Sequence, residues 1–188
     1  MRCLLVTLML LAMPAWAQSP GQGLVMVLIG PPGSGKTTQA EFIHRRYNVP
    51  VISVDELRKQ AGASGDKLNG LVRARAAKED ASKGFVLDGY PATHAEADFL
   101  QTLVTELKLP PPIILQLDIP DDVCRERLAK RDGKKYDAAA AGERIAAYHK
   151  EMDLIRSYYP KADIWTLIGT KPPREVFETI VALVQDRE

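Results

Sequence analysis

Six apolar residues, Leu24–Ile29 (LVMVLI), run without a break into Gly30-Pro31-Pro32-Gly33-Ser34-Gly35-Lys36-Thr37. An apolar run of that length, closed by a Gly-Pro turn, is the pattern of a strand buried on both faces. Such strands belong to parallel sheets covered by helices. The segment behind it has the phosphate-loop spacing: a first glycine, four intervening residues, then Gly-Lys-Thr. Its glycines let the backbone curl so that successive N–H groups point at phosphate oxygens, and the helix starting near Lys36 adds its positive end. In that arrangement Lys36 reaches the β- and γ-phosphates, and the Thr37 hydroxyl is a ligand for Mg²⁺. The alternative is a chance glycine-rich turn, and the apolar strand before it and the helix after it speak against that. The candidate donor-phosphate set is Gly30, Gly33, Ser34, Gly35, Lys36, Thr37 and Thr38, which implies a nucleoside triphosphate site.

The remainder alternates in the same way. Helical patterning over 37–47 precedes a short strand at Val49–Ser53, then helical Asp55–Gln60 and a Gly-Ala-Ser-Gly loop. A helix is expected over Lys67–Lys83, ended by Gly84 before the strand 85–87. Helix 95–107 is broken by Pro110-Pro111-Pro112, and Ile113–Leu117 is a further apolar strand. Helices at 121–131 and 138–158, strand Ile164–Ile168 and helix 174–185 complete the chain. Strands interleaved with helices predict an α/β fold: a three-layer, doubly wound, five-stranded parallel sheet.

The N-terminus reads differently. Met1-Arg2, the apolar stretch 3–13 and Ala15-Trp16-Ala17 have the layout of a cleavable export signal over residues 1–17, with 18–23 as linker. A misassigned start, which would leave the chain cytoplasmic, and an uncleaved anchor are the alternatives. Loss of Arg2 with such a leader turns 25 basic against 24 acidic residues into 24 of each. That balance excludes a bulk nucleic-acid binder, which needs a net basic face. Only Cys124 then remains, so no internal disulfide is expected. No stable membrane association is expected after cleavage, and the chain is expected to be a monomer.

A second chemical signal is Gly84-Phe-Val-Leu-Asp88-Gly89-Tyr90-Pro91. A carboxylate at the C-terminal end of a buried strand stands at the crevice where such sheets bind ligands. Asp88 is then placed to hold Mg²⁺ through water. Alone, the segment would pass for an ordinary strand-to-turn Asp-Gly.

On these residues the chain resembles the adenylate kinase (nucleoside monophosphate kinase) family. Residues 30–40 (GPPGSGKTTQA) are similar to its phosphate loop, and 84–93 (GFVLDGYPAT) to its GF-[IVL]-[IL]-DG-[FY]-P-R-T segment. Residues 119–131 (IPDDVCRERLAKR) resemble the helix entering its lid, Arg144-Ile-Ala-Ala-Tyr-His a later arginine-bearing helix, and Gly169-Thr-Lys171-Pro the loop beside the adenine. The resemblance implies transfer of a phosphoryl group from ATP to a nucleoside monophosphate. It also implies a single kinase domain over 24–188, with a short lid at 132–137 and a reduced acceptor-binding segment at 54–83. Arg127 would stack near the ATP adenine, with Lys171 beside it.

The arginines carry some of this on their own. Arg127 and Arg131 share a helix face, where like charges repel and invite an anionic partner. Arg131 and Arg144, with Lys36 and Asp88, form the candidate catalytic set, since transferred charge spreads over equatorial oxygens that guanidinium groups bind. Neutralisation of the arginines by Glu126 or Asp132 on a solvated face is the alternative.

The acceptor half departs from the family. Ser53-Val-Asp55-Glu-Leu-Arg58 resembles S-T-G-D-x-L-R with two changes, and Arg58 would hold the acceptor phosphate beside Gly89. The second clamp of the family, in its Pro-Arg, is here Pro91-Ala92. Glu96 stands where a base-reading Gln is usual and would suit a guanine edge, because a carboxylate only accepts hydrogen bonds. Arg73 and Arg75 either replace the missing clamp or are ordinary solvated charges. The family's lid arginine falls near Asp137, leaving Lys134 or Lys135 to supply charge. Three readings stay open: a nucleoside monophosphate kinase using ATP and Mg²⁺, a phosphate-loop kinase with another small acceptor, and an exported ATP-binding protein without catalysis.

Overall fold

A computed structural model describes residues 23–62 and 64–186 of the chain. The leader read at 1–17 and all but Gly23 of the linker lie outside them. Five strands, β1 (Leu24–Ile29), β2 (Val51–Ser53), β3 (Gly84–Asp88), β4 (Ile113–Asp118) and β5 (Ile164–Ile168), form one sheet in the order β2-β3-β1-β4-β5. Every pairing is parallel. Among the described residues seven helices flank it: α1 (Lys36–Tyr47), α2 (Val54–Ala61), α3 (Gly65–Ala76), α4 (His94–Glu106), α5 (Asp121–Asp132), α6 (Ala138–Tyr158) and α7 (Pro173–Gln185).

The period-two alternation of β1 sorts its side chains into two cores. Val25, Val27 and Ile29 pack with Phe85 and Leu87 against Leu68 and Val72 of α3, Leu100 and Leu103 of α4, and Met152 and Ile155 of α6. Met26 and Leu28 pack with Val86 and Leu115 against Ala40 and Ile43 of α1 and Val176 and Ile180 of α7. Burial on both faces is why LVMVLI carries no polar residue. The register aligns the C-terminal strand ends in one row, with Ser53 opposite Asp88, Leu28 opposite Asp88, and Ile29 opposite Gln116. β1 connects to β2 on one side of the sheet while its neighbour β3 connects to β4 on the other, so the loops after β1 and β3 open at the point where chain direction switches.

Two expected elements differ. The strand over Val49–Ser53 begins only at Val51, because Pro50 has no N–H for the ladder; its carbonyl instead accepts from Val86 N at 2.9 Å. The helix expected over Lys67–Lys83 runs from Gly65 to Ala76 and is followed by a separate 3-10 turn, Glu79–Ala81. Lys78 is extended there, Ala81 is buried, and Asp80 receives both terminal nitrogens of Arg75, at 3.0 and 2.8 Å. That fork fixes a turn where helical periodicity alone would continue.

Segment 132–137 holds one 3-10 turn, Gly133–Lys135, and ends on Asp137, whose carboxylate caps α6 by accepting from Ala139 N and Ala140 N. No helix of the described residues is long and apolar enough to cross a membrane.

Gly84 gives a direct test of the β1–β3 pairing. Its φ is +115°, and a Cβ there would lie 1.9 Å from the Leu24 carbonyl oxygen. Gly84→Ala is expected to cost about 3 kcal/mol or more, from backbone strain and overpacking together. Urea unfolding measures it.

Candidate active site

The phosphate loop joins β1 to α1, and Gly35, at φ 97°, is the N-cap of α1. This left-handed residue turns the backbone so that the first helical N–H groups face the loop's concavity. Lys36 crosses back over the loop. Its Nζ donates to the Gly30 carbonyl at 2.7 Å and the Pro31 carbonyl at 3.2 Å. Burial pulls its pKa below the ordinary lysine range; Asp88 and Asp55 oppose that pull, and Arg144 adds to it.

Asp88 ends β3 beside the loop and is buried. Thr37 Oγ1 donates to Asp88 Oδ2 at 3.0 Å. Burial pushes the carboxyl of Asp88 up, against the attraction of Lys36 and the Thr37 hydrogen bond. A hydroxyl and a carboxylate in contact are hard oxygen donors suited to Mg²⁺, which keeps several waters and takes few protein ligands. Among the described residues, no group of three His, Cys, Asp or Glu side chains is arranged to hold a metal.

Clefts open on either side of the loop. The first, about 250 Å³, is lined by Gly33, Ser34, Gly35, Thr38, Arg127 and Lys171, with Gln39, Leu117, Pro173 and Val176. Arg127 braces this side: it donates to the Gly33 carbonyl at 3.2 Å and the Gly169 carbonyl at 3.0 Å, tying the phosphate loop to the loop after β5. Gln39 adds a second tie, from Nε2 to the Pro173 carbonyl at 2.9 Å. Removing charged hydrogen bonds of this kind costs about 1.5–3 kcal/mol. Arg127→Met is therefore expected to raise KM for the nucleotide bound on this side by about tenfold or more, with little change for the other substrate. Steady-state titration of each substrate checks it.

The second cleft, about 260 Å³, is lined by Gly30, Lys36, Asp55, Arg58, Gly89, Ala92 and Arg144, with Tyr148, Glu151 and Ile155. The α6 contribution follows from helical spacing: Arg144, Ala147, Tyr148, Glu151 and Ile155 fall on one stripe. Tyr148 is anchored below by Gln116, whose Nε2 donates to its hydroxyl at 3.2 Å. Burial pushes that phenol up to about 12. Glu151 was not singled out from the sequence, although the stripe beginning at Arg144 carries it.

Three expected site residues stand elsewhere. Arg131 lines neither cleft; at the exposed end of α5 its Nε donates to Asp132 Oδ1 at 2.7 Å and its Nη2 to Oδ2 at 3.2 Å. Ser53 ends β2 opposite Asp88 and is not part of the cleft lining. Glu96 is buried rather than facing the cleft. Its Oε2 accepts from Ala92 N at 2.7 Å, and Arg58 Nη2 lies 3.4–3.5 Å from its carboxylate. The physical reason is capping. Thr93 is the N-cap of α4 and accepts from Glu96 N, so the Glu96 side chain curls back toward backbone N–H groups. The same residue thereby positions Arg58. Arg73 and Arg75 do not replace the missing clamp, because Arg73 pairs with Glu106 over the Phe99 ring and Arg75 with Asp80.

A phosphate loop on a parallel sheet of this order, with an acidic residue ending the neighbouring strand, defines a phosphate-loop kinase-like protein. A family model described as an AAA domain matches residues 29–145. Similar proteins include the adenylate kinase of Methanosarcina mazei, 31% identical with 85% of this chain and 97% of that protein covered. The adenylate kinase of Methanosarcina barkeri is 30% identical, with 85% and 98% covered. That of Pseudarthrobacter chlorophenolicus is 32% identical, with 85% and 96% covered. The chain belongs to the adenylate kinase family of phosphotransferases. The two Methanosarcina alignments run over 209 and 210 positions while using 85% of these 188 residues, so those relatives carry segments that this chain lacks.

Proposed function

We propose that the protein transfers the γ-phosphoryl group of ATP to AMP or another nucleoside monophosphate, giving ADP and a nucleoside diphosphate. The observation that carries this reading is the position of Lys36, which borders the cleft holding Arg58 and Arg144 while its loop lines the opposite cleft. ATP takes the Arg127–Lys171 side and the acceptor takes the Arg58 side. An acceptor phosphate oxygen attacks the γ-phosphorus as the bond to the leaving ADP oxygen breaks. Lys36 and Arg144 bear on the charge that spreads over the transferred group. Thr37 and Asp88 would hold Mg²⁺, partly through water, and the ion would supply neutralisation of phosphate charge. A phosphate acceptor needs no general base.

A second reading, a different small acceptor, is favoured by Ala92 and Glu151 on the acceptor wall. An ATP-dependent assay over AMP, GMP, CMP and UMP, with Lys36→Ala as control, separates the two. Turnover of a monophosphate that Lys36→Ala abolishes supports the first. ATP binding with no monophosphate turnover removes it. The leader at 1–17 adds export from the cytoplasm to the proposal, and an intact Met1 in mass spectrometry of the isolated protein would contradict that.

A further inference from the structure

The acceptor cleft has an uneven charge balance. Arg58, its phosphate-binding candidate, is already paired with the buried Glu96. Ala92, where the family resemblance calls for a second arginine, brings no charge. Glu151 lines the same cleft from α6, two helical turns beyond Arg144. Its carboxylate makes no hydrogen bond or ion pair with the described residues. Asp55 adds a further carboxylate to the cleft lining.

We propose that Glu151 is a specificity-determining residue of the acceptor cleft, disfavouring acceptors that present a phosphate dianion beside Arg58 and favouring those that offer a hydrogen-bond donor there. The inference rests on the reading of this cleft as the acceptor side. A carboxylate accepts hydrogen bonds and donates none once ionised, so a hydroxyl or amine satisfies it and a phosphate dianion repels it. The field at this position is consistent with that. Burial pushes the Glu151 carboxyl up, Arg58 opposes the shift, and Glu96 and Asp55 add to it. A dianion beside Arg58 meets a half-neutralised guanidinium and the carboxylates of Glu151 and Asp55, with Lys36 and Arg144 as the other cations of the cleft lining. Like charges a few Å apart in a protein cleft differ from the neutral case by about tenfold or more in binding.

The test uses AMP and adenosine, which share base and ribose and differ in the phosphate. Dissociation constants are measured by calorimetry at about pH 8, where the phosphate is dianionic, for the full chain, Glu151→Gln and Glu151→Asp. Glu151 lines an open cleft and the desolvation of its charge opposes folding, so Glu151→Gln is expected to unfold no lower than wild type and Glu151→Asp close to it. Glu151→Gln should tighten AMP by about tenfold and leave adenosine no tighter, since its hydroxyl loses an ionised acceptor, while Glu151→Asp stays close to wild type. Equal tightening of AMP and adenosine, no tightening of AMP, or no detectable AMP binding to any of the three proteins would overturn the proposal. Monophosphate turnover is read on the same samples. AMP tightening in Glu151→Gln without any turnover leaves this inference standing and removes the nucleoside monophosphate kinase reading. Turnover by wild type with no effect of the substitution does the reverse.

Discussion

Lys36→Met is expected to lower kcat by about 10³-fold or more, since it removes the preorganised charge nearest the transferred phosphoryl group. The same variant is expected to be no less stable than wild type near neutral pH. Burial holds the folded pKa of Lys36 below its ordinary value of 10.5, so the folded state binds fewer protons than the unfolded state between the two values. Below that window the buried charge is a full penalty on folding, and it fades as pH rises through the window toward 10.5. A methionine carries no such penalty, although it forgoes the hydrogen bonds to the Gly30 and Pro31 carbonyls. The stability margin of the variant should therefore be largest at neutral pH and shrink in alkali. Thermal unfolding at several pH values reads this beside the kinetics. A variant that is inactive because it is unfolded would show the opposite margin.

Asp88→Asn is the second large effect. It keeps the shape of the side chain and removes the carboxylate that touches Thr37. Activity is expected to fall by about 10²–10³-fold, and the Mg²⁺ concentration for half-maximal rate should rise. Stability again moves against activity. Burial raises the folded pKa of Asp88 above 3.8, so the folded state binds more protons than the unfolded state between 3.8 and the raised value. The favourable contribution is complete below 3.8 and is lost as pH rises through the folded pKa. Asp88→Asn should be more stable than wild type at neutral pH, with a margin that vanishes in acid. The active site thus holds a buried cation and a buried anion that are both penalised, and each is expected to trade stability for function.

The sheet was readable in the sequence because its signals are local. LVMVLI and FVL are contiguous apolar runs buried on both faces, and IILQL is interrupted only by Gln116, which is buried and hydrogen-bonded to Tyr148. The phosphate loop was equally legible, since its chemistry lies in consecutive backbone groups. Side chains whose partners come from elsewhere were not. For Arg131 the sequence left a phosphate clamp and pairing with Asp132 as alternatives, and the Asp132 carboxylate accepts from its Nε and Nη2. Glu96 resembles a base reader by its place in the motif, but the cap at Thr93 turns its carboxylate to the backbone N–H of Ala92. Thr93, three residues earlier, is a cap signal that reads directly from the sequence. The end of α3 was missed because the Arg75–Asp80 fork joins residues whose helical pattern continues through the break. Glu151 needed only the stripe from Arg144, but nothing in the sequence says that this stripe faces a cleft rather than the core.

Label transfer is the most specific signature of phosphoryl transfer from one nucleotide to another. With ATP labelled at the γ-phosphate and each nucleoside monophosphate in turn, the label should appear at the β-position of a nucleoside diphosphate, dependent on Lys36 and Mg²⁺. Label released only as inorganic phosphate, or retained in ATP with every monophosphate, would contradict the account.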